Sequence, residues 1–246
     1  MTKTKSNKKV ILAILAVIMI CAVSISGTLA YLTQQAPVVS NAFTTVGGGV
    51  LIDPDNPIDP ENPDLSKNGF VILEHKADKN ASTGKYTLKI GDTAADLTKS
   101  NSYDVYQGVN IPKDPFVNIK GLTQNAFLYV EIQETTWGGA LSYATTANWV
   151  ELKNESGTGV TGPNGGKVYV YSNGNPTDTN LLTTDLSKLQ ILANNEIVVS
   201  NDAAPEGTDA SAYYAGSLKF YGYLSQASGF ATPYEAFNTN WGTSAP

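Results

Sequence analysis

Apolar and polar residues alternate with a period of two along most of this chain, and clusters of Gly, Asn, Asp and Pro interrupt the alternation. Successive side chains of a strand point to opposite faces, so this period favours half-buried β-strands and disfavours helices. In "KYTLKI", Tyr86, Leu88 and Ile90 share one face and Lys85, Thr87 and Lys89 the other. "NAFLYVEIQ" puts Ala126, Leu128, Val130 and Ile132 on one face, and "NWVELKN" sets Trp149, Glu151 and Lys153 against Val150 and Leu152. "GFVILEH", "PFVNI", "KVYVYS" and "SLKFYGYL" supply further strands, and Asn164-Gly165 is a turn signal ahead of "KVYVYS". "KLQILANNEIVVS" reads as two strand pieces around Asn194-Asn195, or as one long edge pair. No amphipathic helix lies between these runs to carry a parallel crossover. The expected class is therefore all-β, an antiparallel β-sandwich spanning residues 69–246. A short C-terminal helix is expected in "ATPYEAFNTNW", where Thr232 caps, Pro233 takes the first helical position and Glu235 follows three residues after the cap.

The N-terminus follows other rules. Lys3, Lys5, Lys8 and Lys9 precede an unbroken apolar run over residues 10–23. At 1.5 Å per residue that run makes a helix of roughly 21 Å, short of the ~30 Å hydrocarbon core. Small polar residues follow, and Thr28 and Ala30 fit the −3 and −1 positions of a signal-peptidase site. Residues 1–30 thus read as a signal peptide cleaved between Ala30 and Tyr31, with an uncleaved anchor as the other option. Residues 31–50 read as an N-terminal arm or first strand. "VVSNAFTTV" carries β-branched and aromatic residues without helical period, and Gly47, Gly48 and Gly49 form a hinge behind it. Residues 51–68 hold Pro54, Pro57, Pro60 and Pro63 among acidic residues and read as an extended, solvated connector. Their carboxylates lack the alternating ligands and central glycine of a calcium-binding EF-hand loop.

Without its leader the chain has twelve Lys, no Arg and twenty-two acidic residues, a formal charge of −10. That balance excludes nucleic acid and anionic membrane as natural partners; the membrane is met only through the signal peptide before cleavage. Cys21, the sole cysteine, lies in the leader, so disulfides and thiolate chemistry are excluded from the mature chain. His75 is the sole histidine, has no partner for a zinc motif, and reads as a surface or strand-end residue. No G-x-S-x-G elbow places a serine nucleophile, and no lysine or helix follows Gly47, Gly48 and Gly49 to make a phosphate loop. The residues point to no enzyme and no cofactor. Trp137, Tyr143, Trp149, Tyr169, Tyr171, Tyr213 and Tyr214 offer either a sugar-stacking face or cross-strand packing. A Lys–Asn isopeptide crosslink, as in some bacterial surface domains, stays open because sequence does not locate its residues.

Three stretches carry a resemblance. "SGTLAYLTQQAPVVSNAFTTVG" resembles the signal region and first strand of proteins processed by the SipW-type peptidase. "IPKDPFVNIKGLTQNAFLYVEI" is similar to a K-D-P-x-V-x-N segment leading into an N-(D)-A-Y/F-V strand, and "GYLSQASGFATPYEAFNTNW" to a Q-A-x-G-F…E-A-W/F ending. Their order and spread resemble the TasA/camelysin family of secreted bacterial proteins, which includes biofilm-matrix fibre subunits. The resemblance implies a jelly-roll-like sandwich secreted by Gram-positive cells to the extracellular matrix or cell surface. It implies a head-to-tail homo-oligomer, in which the arm of one subunit completes a sheet of the next, with other matrix proteins or polysaccharide as further partners. Val38, Val39, Phe43 and Val46 would be the arm's pocket-filling side chains. The alternative is that this segment is the first strand of its own sandwich. At the level of function the alternatives are a monomeric adhesin or glycan-binding sandwich, and a camelysin-like peptidase, for which the chain lacks the expected histidines.

Overall fold

The computed structural model describes Tyr31–Thr33 and residues 51–59, 61–173 and 181–242. Its strands are β1 (Tyr31–Thr33), β2 (Gly69–His75), β3 (Ala77–Lys79), β4 (Tyr86–Leu88), β5 (Leu97–Thr98), β6 (Ser102–Asp104), β7 (Ile111–Pro112) and β8 (Phe116–Lys120). They continue with β9 (Ala126–Thr135), β10 (Leu141–Ser142), β11 (Trp149–Glu151), β12 (Lys167–Tyr171), β13 (Leu181–Leu182), β14 (Leu186–Gln190), β15 (Glu196–Val199) and β16 (Ser217–Gln226). Among the described residues two α-helices, α1 (Ala210–Tyr213) and α2 (Pro233–Trp241), and a 3-10 turn at Ala193–Asn195 complete the elements.

The fold is all-β and sandwich-like, with every paired strand antiparallel. In the larger sheet β9 is central: β12 and β13 pair along one side and all of β16 along the other, while β11 extends the sheet beyond β12. The facing sheet runs β14-β8-β2-β5. Between them lies the main core, with Phe70 and Ile72 of β2, Val117 and Ile119 of β8, and the even-numbered residues Leu128, Val130, Leu218 and Phe220 of β9 and β16. Gly222 lets the two sheets approach, since a Cβ there would sit 2.5 Å from the Phe70 ring.

Each central strand is buried on both faces. The odd-numbered residues of β9, Phe127 and Tyr129, pack with Val168 and Val170 of β12 under Ala236 and Phe237 of α2. On the opposite sheet Val71, Leu73 and Phe116 are covered by Ile58, Leu65 and Leu97. This is why "GFVILEH" reads as a continuous apolar run: all seven residues are buried.

Two expectations change, and one open alternative is decided. "KYTLKI" forms strand only over Tyr86–Leu88, and Ile90 is 75% exposed, because β4 pairs with the three-residue β3 on the periphery and has no sheet beneath Ile90. The connector's acidic residues are solvated as expected, but Leu51, Ile52 and Ile58 are buried, and Ile52 bridges to Leu122. "KLQILANNEIVVS" is two strand pieces. Asn194 and Asn195 take φ of 56° and 55°, a left-handed turn that sends β14 to β8 and β15 to β7 and β10.

Candidate assembly edge

Antiparallel pairing turns the main-chain groups of alternate residues toward the partner and of the others away. The bond from Ala227 N–H to the carbonyl of Asn125 continues the register of β16 on β9, in which Gln226 faces Ala126. The odd-numbered residues of β16 therefore face β9 with their main chain. Leu218, Phe220, Gly222 and Leu224 direct their N–H and C=O groups to the outer side, where no strand pairs among the described residues, although Leu218, Phe220 and Leu224 are themselves buried. At ten residues β16 is the longest edge in the sandwich.

The other edges are blunted. β14 is interrupted by a register shift between Leu186 and Leu189, with Lys188 at φ 48°. β5 is two residues long, and β11 is three and leads into a tight hairpin in which Lys153 bridges to Gly159. A long, regular edge without such devices is a template for another strand.

Tyr31, expected from the sequence to follow a cleavage point, opens β1, which pairs antiparallel with β6 of the same chain in the register Tyr31–Asp104, Leu32–Tyr103 and Thr33–Ser102. The Cα trace of β1 passes within 8 Å of β16. Seventeen residues then separate Thr33 from Leu51, which returns to the core. At ~3.3 Å per residue they can span roughly 56 Å, far more than the length of β16. Ala30, the arm residues Val38, Val39, Phe43 and Val46, and the hinge Gly47, Gly48 and Gly49 lie outside the described residues.

His75 is corrected from a surface to an interior position: it ends β2, as expected, but is 3% exposed. Its Nδ1 lies 2.5 Å from Asp114 Oδ2, and its main-chain N–H donates to Asp114 Oδ1 at 3.1 Å. Nε2, 3.0 Å from the Gly91 carbonyl, must carry a hydrogen, because a carbonyl only accepts. Both ring nitrogens are thus engaged in holding the strand end. Among the described residues no three His, Cys, Asp or Glu side chains converge as metal ligands, and no helix is long and apolar enough to cross a membrane.

Six of the seven candidate aromatic residues pack inward, while Tyr213 stacks edge to face on Tyr214 outside the core clusters. Trp149 and Tyr171 are buried edge to face in the main core, and Trp137, Tyr143, Tyr169 and Tyr214 pack against it. A groove of about 480 Å³ runs between β11, β12 and the start of α2, lined by Val150, Leu152, Val170, Pro233 and Tyr234. Tyr234 is the one aromatic residue in its lining.

Comparison of the chain with protein-family models, with curated proteins and with solved structures finds no match in any of the three.

Proposed function

We propose that this chain is a secreted, non-enzymatic structural protein of an extracellular matrix, which assembles head to tail by adding the arm of one subunit to a sheet edge of the next. The observation that carries the reading is the ten-residue β16 edge, unpaired among the described residues and close to the path of the N-terminal strand. Strand addition gains main-chain hydrogen bonds along the edge, and alternate side chains of the donor fill apolar positions. The contact joins two different surfaces and does not close, so repetition gives a filament. Resemblance of the leader, the K-D-P segment and the C-terminal stretch to the TasA/camelysin family supports the same reading, as does the inward packing of the aromatic residues.

The test compares a chain beginning at Tyr31 with one beginning at Gly47, by light scattering and electron microscopy. The longer form is expected to grow into filaments and the shorter to stay a folded monomer. A peptide of residues 31–46 should bind the shorter form and should cap growth of the longer one. Two monomeric forms would sink the proposal. A shorter form that unfolds, and is rescued by the peptide as a monomer, would assign the arm to its own sandwich.

A further inference from the structure

Beneath β6 the core encloses two adjacent charged dipeptides. Glu74-His75 ends β2, and Lys113-Asp114 links β7 to β8. They meet residue for residue: Lys113 Nζ contacts Glu74 Oε2, and His75 contacts Asp114. All four side chains are buried, Lys113 completely. A lysine and a glutamate without solvent are costly as ions, and their attraction repays that cost only when every remaining polar atom is bonded. Here that condition is not met. Glu74 Oε1 has no hydrogen-bond partner, and neither has Tyr103 Oη, whose ring centroid lies 5.6 Å from Lys113 Nζ.

We propose that Lys113 and Glu74 are the two halves of an autocatalytic amide crosslink, an intramolecular isopeptide bond closed between the end of β2 and the link from β7 to β8. The neutral Nζ amine attacks Cδ of the protonated Glu74 carboxyl. The C–O bond to the hydroxyl breaks, and that hydroxyl leaves as water with a proton from Nζ. One amide N–H remains, with no oxidant, reductant or further reactant involved.

Three features favour the step. Nucleophile and carbonyl carbon belong to groups already in contact, which converts a bimolecular condensation into one of high effective concentration. Burial lowers the proton affinity of the Lys113 amine and raises that of the Glu74 carboxyl, so both are pushed toward the neutral forms that react. Exclusion of water opposes hydrolysis of the product. The product also removes the ionic pair and leaves a neutral carbonyl in place of the orphaned carboxyl oxygen.

Asn101 stands beside the same carboxyl but is held as a spectator. Its Oδ1 accepts from Ala77 N–H at 2.9 Å and its Nδ2 donates to the His75 carbonyl at 2.8 Å, so reaction there would break both bonds. Glu74 is the acyl group in direct contact with the amine.

Intact-mass spectrometry of the purified, folded full-length mature chain tests this before any variant is made. The expected result is a loss of about 18 Da, one water, with tryptic peptides 68–76 and 100–120 recovered as one joined species and Lys113 uncleaved. Lys113→Met should restore the unmodified mass. A folded chain of unmodified mass overturns the proposal. A loss of about 17 Da, with the link at Asn101, overturns Glu74 as the acyl partner and assigns the bond to Lys–Asn chemistry. The readout is the mass of a single chain, so it stands or falls independently of filament formation.

Discussion

Glu131 points a carboxylate into the layer between β9 and α2 and is fully buried there. Its Oε1 accepts from the main-chain N–H groups of Asn164 and Gly166 at 3.0 and 2.7 Å, and its Oε2 from Asn164 Nδ2 and Tyr223 Oη at 3.1 and 2.6 Å. Four donors on two oxygens suit a carboxylate, which only accepts. Gly162 leaves the room, since a Cβ there would come within 2.4 Å of the carboxyl group. The residue therefore ties the turn before β12 to both β9 and β16. Glu131→Gln turns one oxygen into a donor facing Asn164 Nδ2 and is expected to cost about 2 kcal/mol. Glu131→Ala strands three donors, since Asn164 Nδ2 keeps its bond to Tyr223 Oη at 2.9 Å, and is expected to cost about 3–5 kcal/mol. Urea denaturation of the monomeric form checks both; equal, negligible losses would show that water replaces the carboxylate.

Sequence reading places residue 131 on the polar face of a two-faced strand, because a charged residue is normally exposed. The same rule hides Lys113 and Asp114, although the K-D-P segment containing them stood out as a motif. Their burial depends on partners 39 residues away, and no local pattern encodes that pairing.

At the scale of elements, legibility follows how local the cause is. The C-terminal helix was readable because its start signals are contiguous: Thr232 Oγ1 accepts from Glu235 N–H at 3.1 Å, and Glu235 Oε2 accepts from Ala231 N–H at 2.8 Å. Thr232→Ala is expected to lower stability by about 1 kcal/mol. The loss should appear in global unfolding as well as in fraying, because Phe237 and Trp241 stack on Tyr129 and Tyr223 of the central strands. Thermal unfolding followed by aromatic circular dichroism would separate the two outcomes, and an unchanged melting temperature would show that the helix docks without its cap. The edge status of β16 was not readable, although the strand itself was. Which strand lacks a neighbour is a property of the whole pairing order, and β1, which comes within 8 Å of β16, lies far earlier in the chain. The short strands and α1 were equally silent, being held by partners and not by their own period.

For the molecule as a whole, the three apolar layers make alkaline stability a measure of how tightly the sandwich is closed. Tyr103, Tyr129, Tyr143 and Tyr223 all have phenol pKa values pushed upward, above the usual tyrosine range, chiefly because burial penalises the phenolate. Tyr129, Tyr143 and Tyr223 also donate their hydroxyls to Pro233 O, Glu134 Oε1 and Glu131 Oε2, bonds a phenolate cannot make. In the unfolded chain a tyrosine ionises near pH ~10. Above that pH the unfolded state binds fewer protons than the folded one, so stability is fully present below pH ~10 and falls as pH rises toward the folded-state values. The four groups lie in different layers, two of them against α2 and Tyr103 between β6 and the main core, so their protons should leave together when the layers separate. An alkaline titration is thus expected to show phenolate absorbance from these residues rising in the same cooperative transition that removes the strand circular dichroism. Gradual ionisation of all four with the strand signal intact would mean that solvent reaches between the layers without unfolding, and the closed three-layer packing would have to be given up.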